Sequence, residues 1–181
     1  MYWNSSDYER MSKIVIDVYL DYGITSFPVD EKEICRKLGV KLLPYSDFPE
    51  IVKKVSDDAF YVPPTTDNPP IIFNNDLEKN EGRRRYSVFH ELKHFVCGDT
   101  EETLYDENMA DFFARYFMCP IPVLICRNVR DIATIMSDYN VGLDAAGNVL
   151  SNLKNRRMRY GNKIFEHEQP IVDLIERGGV T

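Results

Sequence analysis

At 181 residues, 44% hydrophobic and 28% charged, the chain has the size and make-up of one globular domain with room for a packed core. Its net charge of −7 argues against a protein that binds nucleic acid through the phosphate backbone. No run reaches the roughly 18–20 apolar residues of a membrane span, and the longest candidate, residues 116–126, is cut by Pro120 and Pro122.

The first residues, Met1-Tyr2-Trp3-Asn4-Ser5-Ser6-Asp7, lack the basic start and apolar stretch of a signal peptide, which predicts a cytoplasmic protein. Residues 8–22 carry Met11, Ile14, Val15, Val18 and Tyr19 at helical spacing, and Gly23 closes that helix. Asp30 is placed to cap a short helix over 31–38 that ends at Gly39. Three β-type runs follow, at 40–43, 59–62 and 71–73. Pro63-Pro64 and Pro69-Pro70 separate the last two, which read as neighbouring strands. A polar loop over 74–85 leads to a helix with Ser87 as N-cap, reaching Cys97 and stopped by Gly98. A further helix spans 106–118, and a helical pair covers 129–153. The amphipathic stretch 170–177 finds no place in this order. Helices, a small sheet, then helices make an α+β domain. Four scattered cysteines (Cys35, Cys97, Cys119, Cys126) read as free thiols. The basic clusters Arg83-Arg84-Arg85 and 154–159 read as solvated faces.

The chemistry centres on His90-Glu91-Leu92-Lys93-His94. Residues four apart on a helix sit within about 40° of each other, so two imidazoles so spaced can hold one zinc ion. With Val88 at zero, Leu92, Phe95 and Val96 fall within about 80° and form a buried stripe, while His90 and His94 lie at about 200° and 240°. Three histidines placed at random would give such a pair only about 3 times in 100, and requiring a carboxylate directly after the first makes it rarer still. The plainer alternative is a surface helix with two solvated histidines. Glu91 reaches the attacking water rather than the metal in this motif.

A catalytic zinc takes three protein ligands and keeps one position open. A metzincin would have a third histidine six residues after His94, where Thr100 stands, and glycine where Cys97 stands, so that class is excluded. Cys97 shares the histidine face and either leans towards the metal or fills the core. The better third ligand is Glu107 on the next helix, with Asp111 one turn on to accept a hydrogen bond from a ligating imidazole. Met109, Phe112, Phe113, Tyr116 and Phe117 form the buried stripe beside them. The alternative for Glu107 is a solvated carboxylate favoured by the helix dipole. The pattern Glu107-x-x-Ala110-Asp111 resembles the third-ligand element of gluzincins.

Residues 85–94, Arg-Tyr-Ser-Val-Phe-His-Glu-Leu-Lys-His, look like the ImmA/IrrE family of bacterial metallopeptidases. So does the following Glu107-x-x-Ala110-Asp111-x-Phe113-Ala114-x-x-Phe117-Met118-x-Pro120. The resemblance reaches weakly to Leu38-Gly39-Val40 and to a loose helix-turn-helix-like region over 132–153. It departs at Lys93 for the usual glycine, at Asp111 for asparagine, and at Cys119 between Met118 and Pro120. It implies a zincin-like fold with a small, mainly antiparallel sheet, an active-site helix and surrounding helices. Residues 1–128 would form that domain, 129–160 a helical region packed on it, and 161–181 a tail. The implied partner is a helix-turn-helix repressor supplied in trans, of a phage, mobile element or stress response, with no direct nucleic-acid or membrane binding.

Zinc would acidify water to a pKa of about 7, with Glu91 taking the proton and passing it to the leaving amine. Substrate backbone would pair with an edge strand, 59–62 or 71–73. Tyr86, Arg85 and His167 are candidates for a second oxyanion stabiliser by residue type alone. The competing reading is a zinc-binding module that sequesters its partner without cutting. A structural zinc site needs a fourth protein ligand, which only Cys97 could supply. An intact Glu91 favours the enzyme.

Overall fold

The computed structural model describes residues 5–99 and 103–178; position 100, which argued against a metzincin, lies outside them. In chain order the elements are α1 (Ser5–Tyr22), α2 (Glu31–Leu38), β1 (Lys41–Pro44), α3 (Glu50–Lys53), β2 (Ala59–Val62), β3 (Ile71–Asn74), α4 (Glu81–Cys97), α5 (Leu104–Met118), α6 (Ile121–Cys126), α7 (Ile132–Tyr139), α8 (Leu143–Tyr160) and α9 (Gln169–Gly178). They fall into two units, Asp30–Ala114 and the pairing of Met1–Val29 with Arg115–Thr181. The α+β class expected from the sequence is the one observed.

In the Asp30–Ala114 unit, α2 starts and stops on its predicted residues. The Asp30 carboxylate accepts the backbone N–H groups of Lys32 and Glu33 at 2.8 and 3.1 Å. Gly39 turns left-handed (φ 73), so that its own N–H reaches the Arg36 carbonyl and that of Val40 reaches Cys35. This turn sets buried Val40 against buried Cys35 and launches β1.

β2 and β3 are neighbours, as predicted, and pair antiparallel, with Phe60 opposite Phe73 and their rings stacked at 4.9 Å. β1, however, pairs parallel with β3, Leu42 opposite Ile72, in the order β1-β3-β2. The sheet is therefore mixed rather than mainly antiparallel. The chain leaves β1 through a 3-10 turn and α3, forms β2 on the far side running opposite to β1, and returns antiparallel to β2 between the two, so β3 runs with β1. The central position of β3 removes 71–73 as an edge for substrate, whereas β2 is an edge strand among the described residues. Tyr61 and buried Ile72 share the face towards α4, where Tyr61 meets Phe95 edge-on at 6.2 Å.

Helix α4 begins at Glu81, six residues before Ser87. Asn80 is its cap, accepting the Arg83 N–H at 3.0 Å, and the Ser87 hydroxyl donates to the Arg83 carbonyl from within the helix. The arginine run that reads as loop is helical because its cations find partners: Arg83 pairs with Asp58 at 2.9 Å and Arg85 with Glu31 at 3.1 Å. Arg85 is buried, so this cluster is not simply a solvated face. The buried face also differs from the predicted stripe. Val88, Phe89, Leu92 and Lys93 are buried, while Phe95 and Val96 are half-buried.

In the other unit, α1 buries Met11, Val15, Val18 and Tyr19, and the Tyr19 hydroxyl donates to the Phe117 carbonyl at 2.5 Å. Helix α9, the stretch left without a place, packs Ile171, Val172 and Ile175 against α1 and α6. The second basic cluster is partly absorbed as well. Arg156 pairs with Glu168 at 2.7 Å and lies over the Phe165 ring, and Arg157 donates to the Val129 carbonyl. By composition the stretch Leu104–Cys126 is apolar enough to cross a membrane, but Pro120 divides it into two helices, and 72% of its most apolar window is buried within the protein.

Candidate metal centre

The histidines project from the side of α4 opposite Val88 and Leu92, and α5 faces them with Glu107. One donor atom from each of His90, His94 and Glu107 lies within 4.8 Å of the others. His90 Nε2 stands 3.2 Å from Glu107 Oε2, and His94 Nε2 stands 3.4 Å from Oε1. Two ligands about 2.0–2.1 Å from a tetrahedral zinc are themselves about 3.3–3.4 Å apart. The two histidine–carboxylate spacings, each to a different oxygen of Glu107, lie close to that range, so the donor set is of a size and type that suits the ion. Two imidazoles and one carboxylate also suit zinc better than magnesium or calcium. His94 is 7% exposed, His90 18% and Glu107 43%, so the cluster is closed beneath and open on the Glu107 side. Cys97 is not in the converging set, which has three members among the described residues, one short of a structural zinc site.

Each imidazole turns its other nitrogen to an aspartate. His90 Nδ1 lies 3.1 Å from Asp111 Oδ1, which also accepts the Tyr86 hydroxyl at 2.7 Å. His94 Nδ1 lies 2.9 Å from Asp99 Oδ2. A carboxylate on Nδ1 fixes the tautomer that leaves Nε2 free to ligate. Burial opposes charging of His90, but the hydrogen bond to Asp111 and the surrounding charges of Glu91, Glu107 and Asp111 outweigh it, and its pKa is raised.

Asp99 was missed in the sequence, although a signal for it existed. Gly98 ends α4 in the left-handed region (φ 67), with its N–H on the Phe95 carbonyl and the Asp99 N–H on that of His94 at 3.0 Å. This is the turn that closes α2, and it brings the residue after the glycine against the one five positions earlier. At α2 that pair is apolar, Val40 on Cys35; at α4 it is Asp99 on His94. The predicted glycine stop therefore already implied a polar partner for the second histidine.

Lys93 is the other unexpected member. It stands where the resembled family has glycine, and its side chain is 2% exposed, with the ammonium 2.5 Å from Asp99 Oδ2 and 3.1 Å from Asp106 Oδ1. Burial opposes ionisation of Asp106, but hydrogen bonds from Thr103 and Lys93 prevail and lower its pKa. Glu91 is half-buried and close enough for its charge to act on both His90 and Tyr45. Among the described residues, the carboxylates of Glu91, Asp99, Asp106, Glu107 and Asp111 thus surround two imidazoles and a single ammonium. Such an excess of negative charge favours a bound dication.

Of the residues considered for stabilising an oxyanion, Arg85 is buried on Glu31, and His167, with Glu9 4.0 Å away, belongs to the other unit. Tyr86 gives its hydroxyl to Asp111.

A family model described as the IrrE N-terminal-like domain, a peptidase family, matches residues 35–151, well over half the chain and all of the cluster just described. No curated protein matches the chain.

Proposed function

The chain belongs to the family of IrrE N-terminal-like domains, and we propose that it is a zinc-dependent peptidase acting on a regulatory protein. The observation that carries this reading is the three-donor cluster of His90, His94 and Glu107, open on one side and next to Glu91. Three ligands and an open position belong to zinc that does chemistry.

When bound, zinc acts as a Lewis acid that acidifies water and polarises the scissile carbonyl. His90 and His94 present Nε2 because Asp111 and Asp99 hold Nδ1. Glu107 completes the set from α5. Glu91 is the general base: it takes the proton of the attacking water and delivers it to the departing nitrogen. Substrate backbone adds to the edge strand β2, which packs on α4. The substrate we favour is a helix-turn-helix repressor, supplied in trans, on the strength of the sequence resemblance.

The test compares wild type with Glu91→Gln, a substitution that keeps shape and zinc but removes the base. Each is incubated with a peptide library and with a helix-turn-helix repressor from the same genome, and fragments are read by mass spectrometry. Zinc-dependent cleavage should fall by about 10²–10⁴-fold in the mutant. Zinc-loaded wild type that binds the repressor and cuts neither it nor the library overturns the peptidase reading in favour of sequestration.

A further inference from the structure

Lys93 sits between the two histidines in sequence, yet its side chain leaves their face and is buried, with the ammonium in contact with two carboxylates. The first, Asp99, uses the same oxygen, Oδ2, to meet the ammonium at 2.5 Å and His94 Nδ1 at 2.9 Å. The second, Asp106, immediately precedes Glu107, and its other oxygen takes the Thr103 hydroxyl in the first turn of α5. One cation therefore touches the group that orients a ligand on α4 and the turn that presents a ligand on α5.

We propose that Lys93 is a positioning residue for the metal centre. It holds Asp99 beneath His94 and ties the start of α5 to α4, so that the 3.4 Å approach of His94 Nε2 to Glu107 Oε1 is set before the ion arrives. The proposal rests on the zinc reading above.

A purely structural role makes a different forecast. Removing one partner of a buried ion pair leaves the other's charge uncompensated and destabilises the fold. On that view Lys93→Met lowers the melting temperature but leaves the donor set as it was. On ours, Lys93→Met folds but frees Asp99 and the first turn of α5, and the ligands must be gathered by the metal itself.

The experiment uses the full chain as wild type, Lys93→Met and Asp106→Asn. Asp106→Asn keeps the contact between Lys93 and Asp99 and weakens only the tie to α5. Zinc affinity is measured by competition with a chromophoric chelator, and the visible spectrum of the cobalt-substituted protein reports donor geometry. Circular dichroism and thermal melting monitor the fold. Lys93→Met should bind zinc about 10–100-fold more weakly, as losses of ligand-orienting partners do, and its cobalt bands should lose intensity as the tetrahedral set loosens. Asp106→Asn should shift both readouts in the same direction by less. Wild-type affinity and an unchanged cobalt spectrum in a folded Lys93→Met overturn the proposal while leaving the zinc reading intact. If Lys93→Met does not fold, Asp106→Asn decides on the same two readouts. A wild-type chain that takes up no zinc removes both the proposal and the reading beneath it.

Discussion

Asp111→Asn isolates the charge that stands behind His90. In the native site Asp111 Oδ1 accepts from His90 Nδ1 at 3.1 Å and from the Tyr86 hydroxyl at 2.7 Å. The asparagine carbonyl can accept from both donors, so contact survives and only charge is lost. Hydrogen bonds to charged groups contribute about 1.5–3 kcal/mol against roughly 0.5–1.5 for neutral ones, a difference of about 1 kcal/mol per bond. Asp111 is 45% exposed, so solvent screens part of this. The His90 bond also strengthens when its ring ligates a cation, and only this change between the metal-free and loaded states enters the affinity. Losses of partners that orient a metal ligand run to about 10–100-fold, and screening puts Asp111 at the low end, so the zinc complex should be about 10–30-fold weaker. Tyr86→Phe removes one donor from an oxygen that water can reach, and should cost less than about fivefold. Chelator competition on the two mutants and their double mutant measures these terms. Zinc affinity in Asp111→Asn within about twofold of wild type would refute the orienting role. A loss as complete as that of His90→Ala would make Asp111 a ligand.

Glu107→Ala, like His90→Ala and His94→Ala, should lose stoichiometric zinc, as measured by elemental analysis of purified protein; retention of one zinc per chain in Glu107→Ala would reverse the roles of Glu107 and Asp111. The raised pKa of His90 gives a pH dependence with a definite sign. In metal-free protein its protonation stabilises the fold, fully below the unfolded-state pKa and progressively less as pH rises through the higher folded-state value. The melting temperature of metal-free wild type relative to His90→Gln should therefore fall with rising pH over that window. Zinc affinity should rise over the same window, because the ion must displace the proton.

What could be read in the sequence was what local rules decide. Asp30 and Gly39 bound α2 because a cap and a left-handed stop act within four residues. His90, His94 and Glu107 could be paired because helical spacing and an apolar stripe on each helix predict which faces meet. The start of α4 could not be read, since Arg83-Arg84-Arg85 looks like loop until Asp58 and Glu31 arrive from 25 and 54 residues away. The parallel pairing of β1 depends on which side of β2 the returning strand β3 takes, and nothing in three four-residue strands specifies that. The burial of Lys93 could not be read either, because a buried lysine depends on carboxylates from elsewhere, here Asp99 and Asp106.

The left-handed turn at Gly98 gives one residue two kinds of mutational phenotype. Most other residues there, asparagine and aspartate apart, meet the backbone penalty of that conformation, about 1–2 kcal/mol, a modest loss for a folded protein. The same change lifts Asp99 from beneath His94, so the lesion also reaches the tautomer of a ligand 2.9 Å from that carboxylate. A survey of inactivating variants would then score Gly98 among the ligands, although it has no side chain and lies outside the helix. Conversely, a screen that selects for thermostability while holding every ligand constant could still erode metal retention through this single turn.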